Sequence, residues 1–302
     1  MRLCTSVGLG GVEKAMSWLI VGTVASDDFP ILNARCRLAG GTLHLDGEAV
    51  KVARGTPALL GAACATAEAL GIGNPRALLV GDTGRGEGSI QLYRHLVENL
   101  QAYQDHLIVF HYLQPDVDWH NRVLLALDDL PSRPQLVADA GYMYVAKMSG
   151  FAASYDLFTP DVGEMAFLAD ESAPHPFYTR GFLLRNEDDI PELVKRAYEN
   201  ENSSRHLLVK GRNDYVASSA GILHTVSEPC VPAMEPIGGT GDTLTGIVGA
   251  LIAAGKSVPE AALVGARVNR LMGLLANPSP ACSVADLLPS LPKALESVLS
   301  SS

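Results

Sequence analysis

The chain has 302 residues, of which 47% are hydrophobic and only 19% are charged. This composition supplies enough apolar side chains for a large core and excludes a disordered or fibrous protein. Acidic residues outnumber basic ones, 33 to 23, and no stretch is dense in lysine or arginine. The charge distribution therefore argues against a nucleic-acid-binding protein.

The first predicted feature is a loose N-terminal extension over residues 1–15, followed by a single domain over residues 16–302. The extension lacks the continuous apolar segment of a signal peptide, and no apolar run in the chain reaches the ~18 residues that span a bilayer. The five cysteines are dispersed without a C-x-x-C pair, which is typical of reduced thiols. We therefore expect a cytoplasmic protein without a membrane partner.

A small β-rich segment is predicted near the start of the domain, over residues 31–53. Two loosely alternating stretches contain the hairpin-turn signals Gly40-Gly41 and Asp46-Gly47. We expect this segment to act as a lid over the site or as a contact in a homo-oligomer. A helix follows, with Thr56 as its expected N-cap and Pro57 at its first position.

The rest of the chain alternates short apolar strands with helices. Strands are predicted at 18–24, 76–81, 107–112, 135–138, 155–158 and 206–210, a hairpin at 214–226, and helices at 89–103, 121–130, 163–169, 190–200, 241–254 and 258–276. This alternation predicts an α/β fold, a three-layer αβα sandwich with a mostly parallel central sheet. Ligands bind such sheets beyond the carboxyl ends of the strands.

A glycine-rich turn before an apolar helix is the most informative motif. Gly238, Gly239 and Gly241 flank Thr240, so backbone N–H groups can turn inward beside the positive end of the helix and form an anion-binding cup. Asp242 can accept a proton from an alcohol that attacks a phosphoryl group. The alternative is a structural turn, but the apolar helix behind it favours a functional one.

Two carboxylates follow the strand predicted at 155–158. Asp161 and Glu164 are three residues apart and share a face of the first helical turn. They suit a hydrated Mg²⁺ that bridges nucleotide phosphates. The alternative is that both residues cap the helix.

Other strand ends carry weaker signals. Lys210, next to Gly211, can hold phosphate charge or can be a solvated strand end, and Gly81 and Asp82 open a glycine-rich loop that we expect to contact substrate. The string from Asp116 to His120 suggests a metal site, but Asp118 is favoured as the cap of the next helix. His111, inside an apolar strand, is interpreted as a buried core histidine.

These motifs resemble the ribokinase-like superfamily, and within it the ADP- or ATP-dependent NAD(P)H-hydrate dehydratases. The resemblance covers residues 135–276 and rests on the strand ends at Asp139 and Lys210-Gly211, the segment 159–165, and above all GGTGDTLTG at 238–246. It implies that the amides of Gly239, Thr240 and Gly241 form an anion hole and that Asp242 is the catalytic residue. We further expect phosphate to bind at Gly238, Lys210 and Gly211, and substrate to bind at Gly81, Asp82, Asp139 and Asp161.

The implied activity is repair of a damaged cofactor. Such an enzyme phosphorylates the hydroxyl of hydrated NAD(P)H with ADP or ATP, with Mg²⁺ as cofactor, and then eliminates phosphate. Two alternatives share the same pocket: a kinase of a small alcohol, either a sugar or a vitamin precursor, and a nucleotide-binding regulator without catalysis. The dehydratases commonly carry His-Pro where this chain has Asp161-Val162.

Overall fold

The computed structural model describes residues 17–173 and 189–301; the predicted extension at 1–15 lies outside them. The strands are β1 (Trp18–Val24), β2 (Leu32–Arg35), β3 (Arg37–Ala39), β4 (Thr42–Leu45), β5 (Glu48–Lys51), β6 (Arg76–Gly81), β7 (Leu107–His111), β8 (Gln135–Asp139), β9 (Leu157–Phe158), β10 (His206–Val209), β11 (Asp214–Ser218) and β12 (Gly221–Val226). The helices are α1 (Thr56–Leu70), α2 (Glu87–Asn99), α3 (Val117–Asp128), α4 (Gly141–Met148), α5 (Val162–Ala169), α6 (Ile190–Glu199), α7 (Thr240–Ala253), α8 (Val258–Ala276), α9 (Val284–Leu287) and α10 (Leu291–Leu299).

The main sheet has the strand order β12-β11-β10-β9-β8-β7-β1-β6-β2. The six strands from β10 to β6 in that order are parallel, and antiparallel strands close both edges. Every residue of β1 and β7 is buried, as expected for parallel strands that are covered on both faces. The predicted three-layer α/β sandwich is confirmed.

Two hydrophobic cores lie on opposite faces of this sheet. One contains apolar residues of α1, α7, α8, α9 and α10, and the other contains those of α2 to α6. Among residues 17–173 and 189–301, no helix combines the length and the apolar character needed to cross a bilayer.

The β-rich segment divides into two parts. Strand β2 pairs with β6 at one edge of the main sheet, whereas β3, β4 and β5 form a separate antiparallel sheet. Leu43 and Leu45 of this small sheet are fully buried in the core that contains α1. The segment is thus anchored to the domain, and its role as a lid or subunit contact stays a prediction.

Several predicted helix boundaries were wrong for identifiable reasons. Helix α1 begins at Thr56 itself, with Gly55 as its N-cap, because the Thr56 hydroxyl is engaged by His111 instead of by the helix. Helix α3 is capped by Asp116, which accepts from the Trp119 amide, and not by Asp118. Helices α4, α9 and α10 were not predicted; they are short, with four to nine residues each.

Candidate active site

The carboxyl edge of the parallel sheet gathers most of the predicted site residues. His111 and Asp139 end neighbouring strands β7 and β8, and Lys210 follows β10. Helix α7 begins at the same edge, so that its first-turn residue Asp242 contacts His111. Ligand binding at this edge of an α/β sheet follows from the topology.

The glycine-rich turn is held tightly in place. Gly239 has a φ of 98° and is the N-cap of α7, and a Cβ atom here would lie 3.0 Å from the Cα atom of Arg54. Helix α7 packs so closely on α1 that a Cβ atom at Gly246 would lie 2.1 Å from the Leu59 carbonyl oxygen. The position of the turn is therefore set by packing that only glycine permits.

Asp242 is fixed by hydrogen bonds to both of its carboxylate oxygens. Oδ1 lies 3.1 Å from Nε2 of His111, and Oδ2 accepts from the Gly55 amide at 2.7 Å. Because a carboxylate only accepts, His111 must carry a proton on Nε2, while its Nδ1 lies 3.0 Å from the Thr56 hydroxyl oxygen.

These contacts determine the charge of Asp242. Burial favours the neutral acid, but the hydrogen bond and charge of His111, the charge of Lys210 and the Gly55 amide outweigh it, so the pKa lies below its ordinary value. Asp242 is a carboxylate at neutral pH, in a side chain that is only 14% exposed.

A buried ion pair lies beside Asp242. The Lys210 ammonium donates to both oxygens of Asp139, at 2.8 and 2.9 Å, and Asp139 also accepts from the Thr245 hydroxyl of α7. Burial opposes the ammonium charge, but the charge and hydrogen bonds of Asp139, together with the charges of Glu164 and Asp242, outweigh it and raise the pKa of Lys210. A Cβ atom at Gly241 would lie 3.7 Å from Nζ of Lys210, so this cation borders the glycine turn.

Asp161 and Glu164 form a capping box at the start of α5. The Glu164 amide donates to Asp161, the Asp161 amide donates to Glu164, and the Tyr144 hydroxyl donates to the second oxygen of Glu164. Burial and the nearby charge of Asp161 raise the pKa of Glu164 to about 8. Glu164 is therefore mostly protonated at neutral pH, whereas the hydrogen bonds of the described residues engage only one oxygen of Asp161.

A second arrangement at the site could hold a cation. His111, Asp139 and Asp242 each offer one ligand atom, and these atoms lie within 4.8 Å of one another. Lys210 already donates to both oxygens of Asp139 and supplies a positive charge there. A metal ion at Asp139 would therefore compete with this ammonium for the same carboxylate oxygens.

The remaining predicted residues have structural contacts. The Asp82 carboxylate accepts from the amides of Gly84, Gly86 and Ser89, so it organises its own loop, and these bonds lower its pKa although burial opposes them. A Cβ atom at Gly81 would clash with the Ser26 carbonyl at 2.2 Å. Substrate contact by this loop stays a prediction.

Gly211 and Gly238 also lie near the site. The Gly211 amide donates to Asp214 and its carbonyl accepts from Arg270. A Cβ atom at Gly238 would lie 3.7 Å from the Arg54 side chain. The contact at Gly238 is an ordinary van der Waals distance, and phosphate binding by either glycine stays a prediction.

The structure adds residues that the sequence interpretation missed. His111 is buried and hydrogen-bonded, as predicted, but its partner is Asp242, and Gly55 and Thr56 complete the same cluster. Tyr112, with a positive φ of 54°, packs edge-on against His111 with ring centroids 4.5 Å apart. The sequence offered one indication of this role, because His111 lies at the end of a predicted strand, where ligands bind in α/β folds.

A family comparison agrees with this geometry. The family model described as NAD(P)H-hydrate dehydratase matches residues 118–295, more than half of the chain. The chain belongs to this family. The match includes the strand ends at Asp139 and Lys210, the capping box and the glycine turn with Asp242.

Relatives and solved structures extend the comparison. An uncharacterized protein of Methanocaldococcus jannaschii is 37% identical over 242 residues, which cover 80% of this chain and 100% of that protein. The ADP-dependent (S)-NAD(P)H-hydrate dehydratase of Cenarchaeum symbiosum is 29% identical over 57% of this chain, a segment that spans 55% of that enzyme. A ribokinase-like superfamily protein of Enterococcus faecalis superposes with a TM-score of 0.59 at 16% identity, covering 97% of this chain and 92% of that one. The ribokinase-like fold is confirmed.

Proposed function

We propose that this protein is a nucleotide-dependent NAD(P)H-hydrate dehydratase that uses ADP or ATP to repair hydrated NAD(P)H. The observation that carries the proposal is the position of Asp242, a buried carboxylate fixed beside the glycine turn in a chain of this family. The related enzyme from Cenarchaeum symbiosum, which is named as ADP-dependent, supports nucleotide use. Cytoplasmic location belongs to the same proposal.

In the first step, the substrate hydroxyl attacks the terminal phosphoryl group of the nucleotide. Asp242 accepts the hydroxyl proton, a new O–P bond forms, and the P–O bond to the nucleotide breaks. The amides of Gly239, Thr240 and Gly241 stabilise the charge that develops on the phosphoryl oxygens. The low pKa of Asp242 keeps this base ionised before the reaction.

In the second step, the phosphorylated hydroxyl leaves as phosphate. Hydroxide is a poor leaving group and phosphate is a good one, and the electron pair of the ring nitrogen assists cleavage of the C–O bond. Loss of a proton from the neighbouring ring carbon restores the double bond of NAD(P)H. Lys210, which borders Gly241, lies where it can stabilise the departing anion.

Mg²⁺ is part of the proposal as the partner of the nucleotide phosphates. Asp161 fits a water-mediated contact, because the described hydrogen bonds leave one of its oxygens open. Glu164 fits less well, since both of its oxygens have partners and its pKa of about 8 keeps it protonated at pH 7. Mg²⁺ would supply charge neutralisation for the phosphates, and Asp161 would orient its water shell.

A kinase of a small alcohol is the second candidate. Asp161-Val162 stand at the start of α5, where the dehydratases commonly carry His-Pro, so the substrate side of the pocket differs while Asp242 and the glycine turn do not. Such a kinase would carry out the first step and release a stable phosphate ester. The third possibility, a regulator, would bind nucleotide and turn over neither substrate.

The test is an assay with hydrated NADH or NADPH, ADP or ATP, and Mg²⁺. Recovery of the NADH absorbance with release of phosphate supports the dehydratase. In Asp242→Asn we expect the rate to fall by at least about 10²-fold, the low end for a positioned acid–base group, with nucleotide affinity nearly unchanged. Asp118→Asn, at a side chain that is 72% exposed, is the matched control and should behave as wild type.

Each negative result identifies an alternative. A stable phosphorylated product from another alcohol, without recovery of NADH, would establish the kinase. Nucleotide binding without turnover of either substrate would establish the regulator. Full activity in Asp242→Asn would require a different base.

A further inference from the structure

We propose that Arg54 is a phosphate-binding residue of this site, supplying the free cation that the glycine turn needs. The proposal concerns the nucleotide phosphates and so rests on the proposed function for its biological meaning. Arg54 lies in the connection between β5 and α1, outside the region of the sequence resemblance.

The position of Arg54 is defined from two sides. Its Cα atom lies 3.0 Å from the place of a Cβ atom at Gly239, and its Cδ atom lies 3.7 Å from the place of a Cβ atom at Gly238. The next residue, Gly55, donates its amide to Asp242 at 2.7 Å. The Arg54 backbone thus packs against the glycine turn, and the next residue contacts Asp242, the proposed base.

The Arg54 side chain is exposed and runs along the glycine turn as far as its Cδ atom. Within residues 17–173 and 189–301, it makes no hydrogen bond or ion pair with another residue. An arginine without a polar partner among the described residues, next to a turn of backbone N–H groups, is available to bind an anion.

The charges around the turn show why such a cation is needed. Lys210 is engaged by both oxygens of Asp139, so only part of its charge is available to a ligand. Arg270 is likewise engaged by Asp214. Asp242 is a carboxylate beside the same turn, and a polyphosphate would add further negative charge there.

A guanidinium group fits this requirement. Its fork of N–H groups can donate to two phosphoryl oxygens at once, and it keeps its proton at every physiological pH. The inference also gives a function to the β-rich segment 31–53: the small sheet, anchored on α1 by Leu43 and Leu45, holds the arginine against the turn.

The experiment measures binding of ADP, ATP and inorganic tripolyphosphate by titration calorimetry to wild type, Arg54→Gln and Arg54→Lys. Loss of a charge-assisted contact predicts about 10- to 100-fold weaker binding of all three phosphate ligands to Arg54→Gln. Arg54→Lys should lose less, because the charge remains but the fork is lost. Added guanidinium ion should restore part of the affinity of Arg54→Gln for the phosphate ligands. It should not increase the affinity of the wild type.

Arg37→Gln, at an exposed position on β3 of the same small sheet, is the matched control and should bind as wild type. Adenosine, which lacks phosphate, should bind wild type and Arg54→Gln equally. Tripolyphosphate affinity within about twofold of wild type in Arg54→Gln would overturn the proposal. Because binding needs no turnover, a wild type that binds tripolyphosphate through Arg54 but leaves hydrated NADH unchanged would refute the dehydratase alone.

Discussion

His111 provides a strict test of how Asp242 is controlled. It is fully buried and contacts Asp242 through Nε2 and Thr56 through Nδ1. The amide nitrogen of glutamine reaches about as far as Nε2, and that of asparagine about as far as Nδ1. His111→Gln should therefore keep the donor to Asp242, and His111→Asn should lose it.

The expected magnitude follows from the lost contact. A hydrogen bond to a charged group contributes about 1.5–3 kcal/mol, and one pKa unit corresponds to about 1.4 kcal/mol. His111 is the first of the groups that lower the pKa of Asp242 against the effect of burial. In His111→Asn that pKa should rise by about one to two units, so the rate should fall most at acid pH, where Asp242 becomes protonated.

The assay is the pH dependence of kcat/KM for the reaction that the wild type catalyses. The acid limb of the His111→Asn profile should move to higher pH by about one to two units. In His111→Gln, which keeps the hydrogen bond but not the imidazole charge, the limb should move less. Thr56→Val, which removes only the contact at Nδ1, serves as a second control for the buried cluster. An unchanged acid limb in a folded His111→Asn protein would refute the assignment.

Two further predictions concern packing and protonation. Gly246→Ala should destabilise the fold by about 1–3 kcal/mol, measured by urea unfolding, and should lower activity, because its Cβ atom would lie 2.1 Å from the Leu59 carbonyl oxygen. Gly249→Ala is the control. The nearest neighbours of its Cβ atom would be side-chain atoms at 3.3 and 3.4 Å, so the loss of stability should be much smaller. Burial, together with the charge of Asp161, raises the pKa of Glu164 to about 8, so the folded protein keeps a proton that the unfolded chain releases. The free energy of unfolding of the wild type should therefore fall as the pH rises from about 4.5 to 8, by up to about 1.4 kcal/mol per pH unit. Glu164→Gln should show a smaller slope. An equal slope in both proteins would contradict the prediction.

The fold was predictable because hydrophobic pattern and punctuation agree over most of the chain. Helix α8 (Val258–Ala276) and the hairpin of β11 and β12 have the predicted bounds. Helix α4 was missed because it is only eight residues long and starts after Ala140 without a side-chain cap. Its helical conformation comes from packing in the core, which a local pattern does not record.

The site was predictable only where residues lie in local motifs. Asp242 is adjacent in sequence to its glycine turn, so one motif identified both. His111 and Gly55 lie 131 and 187 positions away from Asp242, and nothing local marks either as its partner. For Asp161 and Glu164 the local motif was recognised but its role was ambiguous, because the same spacing suits a cation site or a capping box. The structure contains the capping box.

The pairing of α1 with α7 explains why distant residues meet at Asp242. Gly55 precedes α1 and donates to the first turn of α7, while Gly246, one turn further along α7, approaches Leu59 of α1. The two helices therefore run parallel, with both N-termini at the same point. Each N-terminus carries about half a positive charge, so their juxtaposition costs free energy unless an anion lies between them. Asp242 is that anion in the free protein, and a phosphoryl group bound at the turn would strengthen the same arrangement.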